Sequence, residues 1–132
     1  MTSKPNKPIM LFDCKTSQNI IGQDKFLKAF ENILNHGAYC QGPETKELDE
    51  KLAAYSGVKY CSTCGSGTDA LTLALMAWGV KEGDAVFVSS FTFVASAEAP
   101  VLLGATPIFV DSDPDTYNMD PKDLQRAIDQ VK

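Results

Sequence analysis

Cys64-Gly65-Ser66-Gly67-Thr68-Asp69-Ala70-Leu71 is the stretch that decides how this 132-residue chain is read. Before it, Val58 to Cys64 reads as a short strand. After it, Thr68 to Trp78 reads as a helix rich in Ala and Leu. Glycines at a strand-to-helix turn let the backbone bend sharply and approach a ligand closely. The helix that follows offers unpaired N–H groups and the positive end of its dipole, and Thr68 adds a hydroxyl. Together these make an anion cradle best suited to phosphate. The same pattern also serves as a plain tight connection, and the residues alone leave both readings open. No Gly-Lys-Ser/Thr follows, so this is not a Walker A loop. Gly65, Gly67 and Ala70 do fit the G-x-G-x-x-A form of a dinucleotide loop. The acidic residue expected about 20 positions further on has no match, because Ser89 and Ser90 stand there.

Outward from this turn the pattern alternates. Downstream, Ala85 to Val88 reads as a buried strand, Phe93 to Leu103 as a helix that Pro100 should bend or end, and Thr106 to Val110 as another strand. Asp120-Pro121 caps a last helix with Leu124, Ile128 and Val131 on one face. Upstream, Gln23 to Leu34 carries Phe26, Phe30, Ile33 and Leu34 at helical spacing and stops at Asn35-His36-Gly37. A helix starting at Pro43, with Glu44 and Glu47 in its first turn and Leu48, Leu52 and Tyr55 on its buried face, stops at Gly57. Residues 1–19 read as extended. Strand, helix, strand, helix, strand at this spacing predicts βαβ units and an α/β fold with a mostly parallel sheet, which binds ligands at the carboxyl ends of its strands. The chain stops at Gln130-Val131-Lys132 with no terminal strand, and part of a larger domain is expected.

Other groups carry weaker chemistry. Ser89-Ser90-Phe91-Thr92-Phe93 follows a strand, so an aromatic there can stack on a planar heteroaromatic ligand, or both phenylalanines can be core. Asp111 and Asp113 at the next strand's end suit a metal or an acid–base pair, but Asp113-Pro114-Asp115-Thr116 reads better as a turn. Cys61-Ser62-Thr63-Cys64 is a lone C-x-x-C without a second pair, which argues against a zinc or redox site; no metal is expected. His36 is the only histidine and has no nucleophile elbow beside it. A net charge of −5 argues against nucleic acid as a partner. No apolar run long enough to span a bilayer and no apolar leader occur, so no membrane partner, a cytoplasmic location and free thiols are expected.

Five stretches, taken in order and spacing, resemble the DegT/DnrJ/EryC1/StrS family of sugar aminotransferases. They are Gly37 to Pro43, Gly65 to Leu71, Ser90 to Glu98, Gly104 to Asp111, and Asp113 to Pro121. The nearest likeness is to members that make 3-amino sugars from UDP-linked 3-keto sugar acids. The resemblance implies the N-terminal part of a fold-type-I large domain, three-layered around a mostly parallel sheet. It divides the chain into an N-terminal extended segment, 1–19, and a partial large domain, 20–132. It implies pyridoxal 5′-phosphate (PLP) as cofactor, with Gly67, Thr68 and Asp69 cradling its phosphate and Phe93 stacking on its ring. It also implies a homodimer that moves an amino group, usually from glutamate, to a keto group of a nucleotide-linked sugar. The family's cofactor lysine, and the aspartate that pairs with the pyridinium nitrogen, lie downstream of the matching motifs. No catalytic residue is therefore expected here, and these 132 residues alone are expected to be inactive. Some relatives lack that lysine and act as dehydratases, which leaves a dehydratase, or a non-catalytic nucleotide-binding module, as alternatives.

Overall fold

A computed structural model describes residues 10–131. They fall into two compact units, one ending at Tyr60 and the other starting at Cys61.

The first unit is helical: α1 (Cys14–Ile21), α2 (Gln23–His36) and α3 (Pro43–Ser56). Glycines separate the helices, because their missing Cβ admits the backbone angles that stop a helix. Gly37 and Gly57 close α2 and α3 in the left-handed conformation, as the sequence predicts. Pro43 occupies the first position of α3, where its missing N–H costs nothing. α1 is a correction, since residues 10–19 were expected to be extended. Asp13 caps α1, accepting from the Thr16 N–H at 3.0 Å and from Thr16 Oγ1 at 2.6 Å. Those bonds, the hydroxyl's first, hold the Asp13 carboxyl below its ordinary value. Residues 1–9 of the predicted extended segment lie outside the described residues.

The second unit holds α4 (Gly67–Ala77), β1 (Ala85–Ser89), α5 (Ala95–Leu102), β2 (Thr106–Val110) and α6 (Pro121–Gln130). β1 and β2 pair in parallel, from Ala85 opposite Thr106 to Ser89 opposite Val110, and α5 makes the crossover between them. Parallel neighbours require such a crossover. Val88, Ala95, Ala99, Ala105, Val110 and Ala127 form the buried core. Small alanines on α5 let the helix lie close to the strands. Pro100 does not end α5; it is buried within it, and the helix runs two residues further.

The sheet has two strands rather than the three predicted. Val58 to Cys64 forms no ladder. A strand exists only where its N–H and C=O groups pair with a neighbouring strand, and among the described residues the only ladder is that of β1 with β2.

Candidate functional site

Ser66 organises the turn. Its backbone is extended, at φ −155° and ψ 166°, and its hydroxyl accepts from the Asp69 N–H at 3.1 Å as the N-cap of α4. Its carbonyl accepts the first helical bond, from the Ala70 N–H at 3.1 Å. The thiol of Cys64 donates to the same carbonyl at 3.3 Å. The N–H groups of Gly67 and Thr68 lie in the first turn, where no intrahelical acceptor exists. A Cβ built on Gly67 would meet no atom within 4 Å, so the space beside this glycine is open. At Gly65 the space is not open: a Cβ would stand 3.2 Å from Asp69 Oδ2. The Asp69 side chain therefore folds back over the loop.

Of the three residues expected to cradle a phosphate, Gly67 and Thr68 have backbone N–H groups with no acceptor among the described residues. The N–H of Asp69 is taken by Ser66 Oγ. The Ser66 cap is the part that motif reading passed over. A serine just before the first helical residue is itself a cap pattern and was available in the sequence.

Phe93 stands between β1 and α5, 76% exposed. Neither it nor Phe91 is core. Phe91 leans on Tyr117, ring centroids 5.7 Å apart at 41°. A cavity of about 320 Å³ is lined by Leu71 of α4, Ser89 of β1, and Thr92 and Ser96 at the start of α5. Phe93 stands two residues before α5, and Leu71, Ala74 and Leu75 of α4 share this cavity with Ser96 of α5. Thr92 and Ser96 bond each other at 2.9 Å, and the hydroxyls of Ser89 and Ser112 meet at 3.0 Å across the ends of the two strands.

Asp111 and Asp113 are not brought together as a catalytic or metal pair. Asp113 Oδ1 accepts from the N–H of Asp115 at 3.0 Å, and from the N–H and hydroxyl of Thr116 at 2.8 and 3.0 Å. These bonds, that from the Thr116 N–H first, hold the Asp113 carboxyl below its ordinary value. The turn they build supports Tyr117 at φ 60°. The Asp111 N–H donates to Asp123 of α6 at 2.7 Å, which anchors the end of β2. That bond first, then one from Arg126, keeps the Asp123 carboxyl below its ordinary value. Among the described residues no three His, Cys, Asp or Glu gather as metal ligands, and the four cysteines are free. Among them, too, no helix is long and apolar enough to cross a membrane.

The residues present fit a phosphorylated aromatic cofactor: two unpaired N–H groups and a hydroxyl at an open helix start, and an exposed ring on the neighbouring connection. Fold and turn together describe a parallel α/β unit with a glycine-bearing, serine-capped turn at the start of a helix. Comparison with known proteins narrows it. The profile of the DegT/DnrJ/EryC1/StrS aminotransferase family matches residues 21–132, and the chain belongs to that family.

The UDP-2-acetamido-2-deoxy-3-oxo-D-glucuronate aminotransferase of Pseudomonas aeruginosa is 48% identical over 120 residues, covering 91% of this chain and 33% of that protein. The crystal structure of a family aminotransferase from Brucella abortus superposes with a TM-score of 0.85 at 41% identity, over 94% of this chain and 33% of the other. A DesV structure from S. venezuelae, in complex with a ketimine intermediate, gives 0.81 at 34% identity, over 87% and 31%. The fold is the N-terminal portion of a fold-type-I PLP aminotransferase. The chain spans about a third of the length of the relatives it matches.

Proposed function

We propose that this chain is the cofactor-phosphate end of a PLP-dependent aminotransferase acting on a keto group of a nucleotide-linked sugar. The observation that carries this is the pair of unpaired N–H groups of Gly67 and Thr68 at an open helix start, in a chain of this family. When bound, PLP supplies the electron sink that amino-group transfer needs. The chain's own work is to hold it. The N–H groups of Gly67 and Thr68, with the Thr68 hydroxyl, bind the phosphate, and the dipole of α4 favours its charge. Asp69 joins them only by releasing Ser66 Oγ, so its part in the cradle is the weakest of the three. Phe93 would stack on the ring. The fixed phosphate and the stacked ring together orient the cofactor, and neither step moves a proton.

The identity shared with the Pseudomonas relative favours a UDP-linked 3-keto sugar acid as substrate; glutamate as amino donor and a homodimer with shared active sites rest on the family resemblance alone. None of this chain's lysines lies in the matching motifs, so the 132 residues alone do not transaminate.

The test is an assay of the gene's full-length product with PLP, glutamate and a UDP-linked 3-keto sugar acid. Mass spectrometry should find the amino sugar and 2-oxoglutarate in equal amounts. A dehydrated sugar, or no dependence on PLP, would remove this reading. The 132-residue chain under the same conditions should form neither product, and turnover by it would overturn that part.

A further inference from the structure

We infer that His36 is a clasp on the connection between α2 and α3, and that protonating its ring opens it. Both ring nitrogens are engaged. The Ala38 N–H points at Nδ1 at 3.0 Å, and Nε2 lies 2.9 Å from Glu44 Oε1 in the first turn of α3. An amide N–H only donates and a carboxylate only accepts. Nδ1 must therefore be the bare acceptor and Nε2 the protonated donor, which is one tautomer of the neutral ring. The ring thus ties the last turn of α2 to the first turn of α3 and to the loop between them.

The loop is tight at the same place. A Cβ on Gly42 would overlap the Ala38 carbonyl oxygen, so the backbone packs closely here, and Ala38 is bonded through its N–H to His36. Between these two points stand Tyr39, Cys40 and Gln41, with Gln41 at φ 50° and the Tyr39 side chain exposed. The clasp sets how this tip is presented.

Adding a proton to Nδ1 turns the acceptor into a donor facing another donor. The Ala38 bond is lost, while the Glu44 contact becomes an ion pair and survives. Glu44, on α3, is the charged group bonded to the ring, and its carboxyl lies below its ordinary value, first because of the His36 bond. Glu47, further along the same helix, is paired with Lys51. The device is asymmetric: acid leaves His36 on α3 and frees the loop.

The experiment is nuclear magnetic resonance of the ¹⁵N-labelled 132-residue protein across a pH series. Ring nitrogen shifts report the tautomer and protonation of His36, and hydrogen exchange reports the protection factor of the Ala38 amide. At neutral pH the ring should be the Nε2–H tautomer. As it protonates, Ala38 protection should fall roughly five- to tenfold, the loss of one hydrogen bond, while amides within α3 keep theirs. Glu44→Gln should keep the clasp, because a carboxamide oxygen still accepts from Nε2–H. His36→Ala should lose Ala38 protection at every pH. An Nδ1–H tautomer at neutral pH, or Ala38 protection that does not follow ring protonation, overturns the inference. Both are read on the unmodified protein, so the decision stands even if a variant fails to fold.

Discussion

Ser66 and Thr68 flank Gly67 and do different work. Ser66 spends its hydroxyl on the Asp69 N–H, while Thr68 leaves its own N–H open. Replacing Ser66 by Ala should lower stability by about 1 kcal/mol, whereas Ser66→Gly should cost only a few tenths. Urea unfolding of the three proteins checks this, and equal losses for both variants would deny the cap. Asp113 gives a pH-dependent case. Its folded carboxyl is depressed below the ordinary value of 3.8 by bonds from Thr116 and Asp115. A depressed acid contributes stability that is fully present above its unfolded value and lost as pH falls through its folded one. Stability from this turn should therefore be flat from neutral pH to about 4 and decline below. Asp113→Asn keeps an acceptor oxygen and removes the titration, so its acid unfolding should be less steep than that of the parent. A Ser66 cap and an Asp113 turn were both within reach of the sequence. Asp113 was read as a turn, and Ser66 was obscured by its glycine neighbours.

At the scale of elements, what was legible depended on whether a segment could be judged alone. α2, α3 and α6 carry apolar residues at helical spacing between a defined start and a glycine or loop, and β2 follows Gly104 and ends at Val110; all form where read, but Leu48, Leu52 and Tyr55, the expected buried face of α3, are exposed. α1 was missed because Cys14 to Asn19 has no apolar periodicity, and its formation rests on the Asp13 cap. Val58 to Cys64 failed for the opposite reason. Its composition suits a strand, but strand pairing is a property of two segments, and composition describes one. β1 and β2 have each other, and Val110 is wholly buried between the sheet and its helices. Val110→Ala should cost roughly 2 kcal/mol, the removed methyl groups plus the space they leave. The same change at exposed Val101 should cost under about 0.5 kcal/mol. Thermal unfolding of the pair separates core from surface, and equal costs would contradict the packing described.

For the molecule as a whole, family membership and the proposed phosphate cradle rest on overlapping ground, since the turn lies within the matched residues. One rests on residues 21–132 as a pattern, the other on two backbone N–H groups at one helix start. Phe93 reads from the residues alone either as a stacking aromatic or as core, and the family likeness favours the first. The structure leaves it 76% exposed. Large apolar side chains elsewhere in the second unit, among them Leu73, Met76, Trp78 and Phe109, also face outward. Large apolar side chains exposed in this number suit contact with other protein. That agrees with a chain spanning a third of its relatives' length.

The central claim is that the start of α4 binds the cofactor's phosphate. The most direct measurement is a titration of the ¹⁵N-labelled protein with PLP, with pyridoxal, which lacks the phosphate, and with inorganic phosphate. PLP and phosphate should both move the Gly67 and Thr68 amide resonances, pyridoxal should leave them in place, and only the two aromatic ligands should move the ring resonances of Phe93. Equal responses of Gly67 and Thr68 to PLP and pyridoxal, or PLP shifts confined to residues outside this turn, would contradict the account.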